Sequence, residues 1–264
     1  MADELDGGPQ AASSGPPPTR FTYAGASLVA EQQGAGAPVF VLVHGIGMGR
    51  SVFRGLVELL APHGRVIAVD QPGYGEAPEP ARTLTMERTA DLVAAFLRAQ
   101  ALPPVVLIGH SMGTQVAVET TVRHPELVER LVLVAPTVDS AARTALRQLL
   151  HLAQDLAVES PLVVLRGGRE YLRAGPHLRR KMRAMLVHRP EDVYPRIGVP
   201  TLVLRGSDDL VCPRAWVRTV TAAIPGARCE EVPGHGHETM IRDPEQAATR
   251  ILAFASEDAH DAER

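Results

Sequence analysis

The chain has 264 residues, of which 45% are hydrophobic, and its formal net charge is -3 at pH 7. This length suits one large domain, or a domain with an insertion, and it allows a substantial core. The small net charge gives no reason to expect a nucleic acid or an anionic membrane as a partner, and no run of about 20 apolar residues predicts a transmembrane helix.

Residues 1–19 are rich in Gly, Pro, Ser, Asp and Ala. We predict a disordered tail here, because the segment has too few apolar groups to offset the entropy of ordering. Its first residues, MADELDGGPQ, lack the basic and then apolar order of a secretory signal, so we expect a cytoplasmic protein. The two cysteines, Cys212 and Cys229, form no CxxC pair or metal-ligand cluster, and free thiols are expected.

Strand and helix patterns alternate from residue 20 onward. We predict an antiparallel hairpin arm over 21–30, followed by a turn over 34–38. Short apolar runs predict buried strands at 39–43, 66–69, 105–108, 131–134, 201–204 and 228–232. Helical spacing of apolar residues predicts helices at 52–60, 84–101 (with Thr85 as the N-cap), 114–124, 213–224 and 244–255. The alternation predicts an α/β fold with a mostly parallel sheet, helices on both faces, and ligands bound at the carboxyl ends of the strands.

The segment 137–199 interrupts this alternation, because its composition turns to Leu, Ala and Arg with helical spacing. A bare loop of that length is uncommon in a compact domain, so we predict a helical insertion. Since it follows the strand at 131–134, it would form a cap over the carboxyl edge of the sheet. The predicted core is then 20–136 and 200–256, with a C-terminal tail at 257–264.

The predicted insertion is basic. From residue 140 to residue 196 it contains eleven Arg and Lys residues against five Asp and Glu residues. One interpretation is attraction of an acidic substrate or partner. The other, which we favour, is a solvated helix face in an arginine-rich chain.

The pentapeptide GHSMG, at 109–113, lies between a predicted strand and a predicted helix. Glycines two positions before and after Ser111 allow a sharp strand-to-helix turn, where larger side chains would collide with the strand and the helix. The start of the following helix favours developing negative charge. An ordinary turn would also fit the pattern, but the flanking strand and helix favour Ser111 as a nucleophile.

A serine nucleophile needs a base that accepts its proton and an acid that orients the base. His235 and His237 both lie in the loop after the last predicted strand, and Asp208 and Asp209 both follow the strand before it. Position alone leaves each choice open.

Two N–H donors are also needed for the oxyanion of a tetrahedral intermediate. Met112, directly after the serine, supplies one candidate N–H. The second is expected from Ile46, with Gly47 in reserve, in the glycine-containing loop after the strand at 39–43. His44 is interpreted as a structural residue that shapes this loop.

Five motifs together resemble the α/β-hydrolase superfamily over residues 20–255, in its serine-nucleophile branch. They are VFVLVHGIG (39–47), RVIAVDQPGYG (65–75), GHSMG (109–113), LVLRGSDDLVCP (202–213) and VPGHGHETMIRDPE (232–245). In this family the acid usually stands three residues after the strand-end glycine and four before a proline, which selects Asp209. The histidine usually follows a glycine, seven residues before the proline that opens the last helix, which selects His237. Relatives similar to haloalkane dehalogenases and epoxide hydrolases carry aspartate in place of Ser111.

The resemblance implies an α/β-hydrolase fold with a cap matching 137–199 and a catalytic triad of Ser111, His237 and Asp209. It also implies an oxyanion hole formed by Ile46 and Met112, and no metal or cofactor. We expect a carboxylesterase, but lactonases, thioesterases and carbon-carbon bond hydrolases of the meta-cleavage type use the same constellation.

Residues Ile46, Met48, His110 and Met112 are candidates for a substrate pocket, which would suit a small, apolar acyl substrate. Met and Ile are also ordinary core residues. The basic cap leaves open a thioesterase that acts on an acidic carrier, and a homodimer is possible. A different class is a non-catalytic small-ligand binding protein on the same scaffold, although such proteins often lose a triad residue.

Overall fold

A computed structural model of the chain describes residues 16–140 and 177–257. Most of the two predicted tails, and residues 141–176 of the predicted cap, lie outside these ranges, so the tail and cap boundaries stay predictions. In the described ranges, no helix has the length and apolar character needed to cross a membrane.

An eight-stranded sheet runs through the centre of the described structure. Its strands along the chain are β1 (Thr19–Tyr23), β2 (Ala26–Gln33), β3 (Val39–Val43), β4 (Arg65–Asp70), β5 (Val105–His110), β6 (Val128–Val134), β7 (Thr201–Gly206) and β8 (Arg228–Val232). Their order in the sheet is β1-β2-β4-β3-β5-β6-β7-β8. Strands β3 to β8 are parallel, whereas β2 pairs antiparallel with β1 and with β4. The predicted mostly parallel sheet is confirmed.

The opening hairpin differs from its prediction. The turn lies at Ala24 and Gly25, inside the predicted arm, and Tyr23 pairs with Ala26 across it. Both turn residues have positive φ, 48° and 78°, which is the two-residue turn that matches the twist of paired strands. Alanine rarely adopts positive φ, so the sequence carried little signal for this turn. The stretch at 34–38 instead connects β2 to β3.

Six α-helices are described: α1 (Arg54–Leu60), α2 (Met86–Ala99), α3 (Met112–Arg123), α4 (Leu178–Val187), α5 (Arg214–Ala223) and α6 (Glu245–Ala255). Helix α2 begins where predicted, since the Thr85 hydroxyl accepts a hydrogen bond from the Arg88 N–H at 3.4 Å. Helix α4 lies within the predicted helical insertion.

Apolar side chains form a core layer on each face of the sheet. In β3, Val39, Val41 and Val43 belong to one layer, and Phe40 and Leu42 belong to the other, as the alternation of side chains along a strand requires. Helices α2, α3 and α5 contribute to the first layer, and α1 and α6 to the second. Because all five residues of β3 are buried, its sequence is a continuous apolar run rather than an alternating one.

Candidate active site

Ser111 occupies a sharp turn between β5 and α3, with φ 53° and ψ -121°. A Cβ at Gly109 would lie 2.5 Å from the Gly113 carbonyl oxygen, and a Cβ at Gly113 would lie 2.2 Å from the Val43 oxygen. Both flanking glycines are therefore required by close backbone approach. Non-glycine residues at such positive φ carry strain of about 1–3 kcal/mol, which the surrounding structure must hold.

His237 lies in the loop after β8 and connects the serine to an acid. Its Nε2 is 3.0 Å from Ser111 Oγ, and its Nδ1 is 3.0 Å from Asp209 Oδ2. The side chain of His237 is 7% exposed and that of Asp209 is 0% exposed. The structure thus brings the three predicted triad residues into one hydrogen-bonded chain, in which the hydroxyl can donate to Nε2 while Nδ1–H donates to the carboxylate.

The carboxylate of Asp209 is held in its charged form. Its Oδ1 accepts the backbone N–H groups of Val211 and Cys212, each at 2.8 Å. Burial on its own would raise the pKa of Asp209, but the charge and hydrogen bond of His237 and the two backbone N–H groups outweigh it and lower the pKa. An ionised acid can therefore orient the imidazole and stabilise its protonated form.

The two rejected candidates lie away from this chain of hydrogen bonds. Asp208 is exposed and accepts a hydrogen bond from the Ser207 hydroxyl at 2.9 Å. The His235 ring lies 2.9 Å from the Pro233 carbonyl oxygen and 3.3 Å from that of Asp243. Neither side chain contacts Ser111 among the described hydrogen bonds.

Arg205, which was not among the predicted site residues, supports the loop that follows β7 and carries Asp209, here called the acid loop. Its buried guanidinium donates to the carbonyl oxygens of Cys212 at 3.1 Å, Asp209 at 3.0 Å and Ser207 at 3.3 Å. It also pairs with Glu231 at 2.6 Å. The signal in the sequence is an arginine within the otherwise apolar strand β7, where a buried charge requires such partners.

We expect Arg205→Met to lower the free energy of unfolding by about 1–3 kcal/mol, because loop carbonyls lose their buried donor. It should also lower kcat more than it changes KM, since the acid loop orients the histidine. Urea unfolding and steady-state ester kinetics measure both effects. Arg214 is the control: it pairs with the same Glu231 but is 58% exposed, so Arg214→Met should leave both quantities unchanged. Equal effects of the two substitutions would contradict this role for Arg205.

His110 is buried beside His237, with 5.3 Å between the two ring centres. Its side chain is 0% exposed, and its Nε2 is 2.9 Å from the backbone oxygen of His237. Burial, together with the nearby charge of His237, lowers the pKa of His110 to about 3. The neutral ring therefore donates to the His237 carbonyl and fixes the histidine loop, and a contact of His110 with substrate stays a prediction.

The loop after β3 lies directly against the serine. A Cβ at Gly45 would be 3.0 Å from Ser111 Cβ and 3.4 Å from its Oγ, so the backbone that carries Ile46 passes beside the nucleophile. His44 fixes this loop: its Nδ1–H donates to Gly45 O at 2.7 Å, and its Nε2 accepts the Gln71 N–H at 3.1 Å. Burial lowers the pKa of His44, which suits a neutral structural residue.

Met112 is the first residue of α3, so its N–H is among those without a carbonyl partner inside the helix. Its sulfur accepts the Tyr74 hydroxyl at 3.8 Å, and its side chain borders a cavity of about 30 Å³. Met48 is half-buried in the loop after β3 and does not line this cavity.

Lys181 of α4 lines the same cavity. Its Nζ donates to Gly73 O at 2.5 Å and to Glu79 Oε2 at 2.6 Å, and lies 4.3 Å from the centre of the Tyr74 ring. These contacts hold α4 against the loop after β4. The Lys181 side chain is only 4% exposed, so its charge is buried against these partners. The described part of the insertion thus lies beside Met112, the residue that follows Ser111.

Comparison with known proteins identifies the family whose fold this chain has. The model of the "Alpha/beta hydrolase family" matches residues 40–250. A 2-hydroxy-6-oxo-6-(2'-aminophenyl)hexa-2,4-dienoic acid hydrolase of Metapseudomonas resinovorans is 28% identical over 85% of this chain and 86% of that protein.

Solved structures share the fold. A serine hydrolase involved in carbazole degradation aligns with a TM-score of 0.75 and 26% identity, over 90% of this chain and 98% of that one. An enol-lactonase of Burkholderia xenovorans aligns with a TM-score of 0.77 and 24% identity, over 90% of this chain and 100% of that one. At 24% identity this second likeness shows the fold alone.

Proposed function

Because the chain belongs to the alpha/beta hydrolase family, we propose that it is a serine hydrolase that cleaves an ester-type acyl bond through an acyl-enzyme. One observation carries this proposal: Ser111 Oγ, His237 and Asp209 form a chain in which both contacts are 3.0 Å. These distances lie within the reach that proton transfer requires. The mechanism uses only groups of the protein and water.

In the first step, Ser111 Oγ attacks the acyl carbonyl while His237 Nε2 accepts the hydroxyl proton. The ionised Asp209 stabilises the imidazolium that results. His237 then gives the proton to the leaving oxygen, and the acyl group remains on the serine as an ester. In the second half, His237 accepts a proton from water while the water oxygen attacks the acyl carbon. His237 then returns the proton to Ser111 Oγ as the bond to the acyl group breaks and the acid leaves.

The oxyanion of each tetrahedral intermediate would be held by the N–H groups of Ile46 and Met112. Removal of one such donor costs roughly 3 kcal/mol in the barrier of other serine hydrolases. Support for Met112 comes from its place at the first position of α3, and support for Ile46 comes from the contact of its loop with Ser111.

The substrate that we propose is a small molecule with an apolar acyl group. Met112, which directly follows Ser111, and the aromatic Tyr74 line a cavity of about 30 Å³, and the half-buried Ile46 and Met48 lie on the loop after β3. Apolar walls with few polar groups are typical of small-molecule sites.

A second candidate is hydrolysis of a carbon-carbon bond in a substrate that carries a carboxylate. The Lys181 ammonium lines the cavity beside Met112, and the name of the relative from Metapseudomonas resinovorans specifies a dienoic acid. We rank this candidate second because Glu79 already neutralises Lys181 at 2.6 Å. A kcat/KM that is higher for a 2-hydroxy-6-oxodienoate than for neutral aryl esters would reverse the ranking.

Labelling with a fluorophosphonate probe tests the proposal directly. We expect intact mass spectrometry to detect a single adduct on the wild-type protein, because an activated serine attacks the phosphorus centre, and no adduct on Ser111→Ala. An adduct that persists in Ser111→Ala would place the reactive group elsewhere. No adduct on well-folded wild-type protein would contradict a serine hydrolase and favour a non-catalytic binding protein for small ligands.

A further inference from the structure

A cluster of two carboxylates and one imidazole, of which Glu119 and His188 are buried and Glu87 is half-buried, lies where three helices meet, apart from the triad. Glu87 belongs to α2, Glu119 belongs to α3, and His188 directly follows α4. One ligand atom from each of the three side chains lies within 4.8 Å of the other two. His188 Nε2 is 2.9 Å from Glu119 Oε1, and these two side chains are 4% and 8% exposed.

The spacing of these atoms suits a tetrahedral metal ion. Zn²⁺ binds imidazole nitrogen and carboxylate oxygen at about 2.0–2.2 Å, so two ligands of a tetrahedral ion lie roughly 3.4 Å apart. In the cluster, His188 Nε2 and Glu119 Oε1 are 2.9 Å apart, and no two of the three ligand atoms are more than 4.8 Å apart. Small side-chain rotations would therefore bring all three atoms to bonding distance.

The chemical types of the three groups also suit a cation. Glu87 and Glu119 offer carboxylate oxygens and His188 offers an imidazole nitrogen, which are common ligands of Zn²⁺.

Solvent reaches the cluster through an open cavity of about 580 Å³, which is lined by all three side chains. The exposed Arg180, Arg183 and Arg189 line the same cavity, as does Asp192. Within the described ranges, none of these arginines is within 4.0 Å of a Glu87 or Glu119 oxygen; the ion-pair partner of Glu119 there is His188. Because these arginines do not pair with Glu87 or Glu119, both carboxylates can bind a cation, and water from the cavity can complete its coordination.

We propose that Glu87, Glu119 and His188 form a binding site for a divalent cation, with Zn²⁺ the best match to their ligand types and spacing. A cation bound here would join α4 to α2 and α3. Helix α4 already contacts α3 close to the nucleophile, since Gln115 Nε2 donates to the Met185 carbonyl at 3.2 Å. The site would thus fix the segment that carries Lys181.

The test uses full-length, tag-free protein that has been treated with EDTA and desalted, and it does not depend on turnover. Isothermal titration with Zn²⁺ should show one site in the wild-type protein. Glu87→Gln and His188→Ala should each weaken that site by at least about tenfold. Thermal unfolding should shift to higher temperature with Zn²⁺ only where the site is intact.

His124→Ala is the matched control. Its ring forms a histidine-carboxylate pair of similar length, 3.0 Å to Asp91, yet among the described residues this pair belongs to no cluster of three metal-binding groups. We expect His124→Ala to bind Zn²⁺ like the wild type. Because His188→Ala removes a buried partner and could unfold, Glu87→Gln, on a half-buried helix position, decides the outcome in that case. No binding to folded wild-type protein, or unchanged binding in Glu87→Gln, overturns the proposal.

Discussion

Substitution of His237 by alanine should lower kcat for an activated ester by a factor on the order of 10⁶, and Ser111→Ala should cause a loss of the same size, because we expect the triad members to act as one unit. The structural reason is that Ser111 Oγ has its acceptor in His237 Nε2, at 3.0 Å. Without that acceptor the hydroxyl keeps its proton and is a poor nucleophile. Steady-state kinetics with aryl esters of increasing acyl length measure the loss.

His235→Ala is the control for this prediction, since it removes a histidine only two residues away. Its ring contacts backbone oxygens of Pro233 and Asp243, so we expect kcat to stay close to the wild-type value. Circular dichroism should show that all three variants are folded. Full activity in His237→Ala together with loss of activity in His235→Ala would show that His235, and not His237, is the base.

A second control separates the chemistry of Ser111 from its strain. Ser111→Ala keeps a side chain at φ 53°, whereas glycine adopts that conformation without cost. Alanine at this position has the same backbone strain as serine. Loss of turnover in Ser111→Ala therefore results from the missing hydroxyl and not from a change in the strain of the turn.

The sheet could be predicted because most of its strands are buried on both faces. Val39–Val43 and Thr201–Gly206 are buried throughout, and such strands are continuous apolar runs in the sequence. Their boundaries were predicted to within two or three residues. The turn at Ala24 and Gly25 was not, because its positive φ at alanine depends on the pairing of β1 with β2 rather than on a turn-forming composition.

Motif spacing selected Asp209 over Asp208 and His237 over His235, and the structure brings the selected pair to Ser111. That spacing came from the resemblance to the family, because the predicted carboxyl edge of the sheet left both pairs of candidates open. The residues that hold Asp209 and His237 in place could not be predicted from the sequence. Arg205 contacts the acid loop and His110 donates to the His237 carbonyl. Both contacts depend on side-chain rotamers within the folded core.

The cluster of Glu87, Glu119 and His188 lay furthest from prediction. Glu87 and Glu119 come from two helices, His188 follows a third, and the three have no motif spacing, so only the packing of α2, α3 and α4 brings their ligand atoms within 4.8 Å. A helix with apolar periodicity specifies which face is buried, but it does not specify which polar residues at the margin of that face will meet.

Asp209→Asn should lower kcat by a factor on the order of 10⁴ with little change in KM, because an amide imposes the wrong histidine tautomer. In the wild type, Oδ1 of Asp209 accepts the N–H groups of Val211 and Cys212 at 2.8 Å. An asparagine there would direct its oxygen to these donors and its NH₂ group to His237 Nδ1. Nδ1 would then accept a hydrogen bond, Nε2 would carry the proton, and the Ser111 hydroxyl would lose its acceptor.

The same substitution changes the response to acid. The pKa of Asp209 is lowered in the folded protein, so its interactions stabilise the fold fully above the pKa of an unfolded aspartate and are lost as the pH falls through the lower, folded value. Asp209→Asn should remove this part of the acid dependence in urea unfolding measured at several pH values. Asp208→Asn, at an exposed position, should match the wild type in both kcat and acid response. A large kcat loss in Asp208→Asn, combined with less than about a tenfold loss in Asp209→Asn, would show that the other carboxylate orients the histidine.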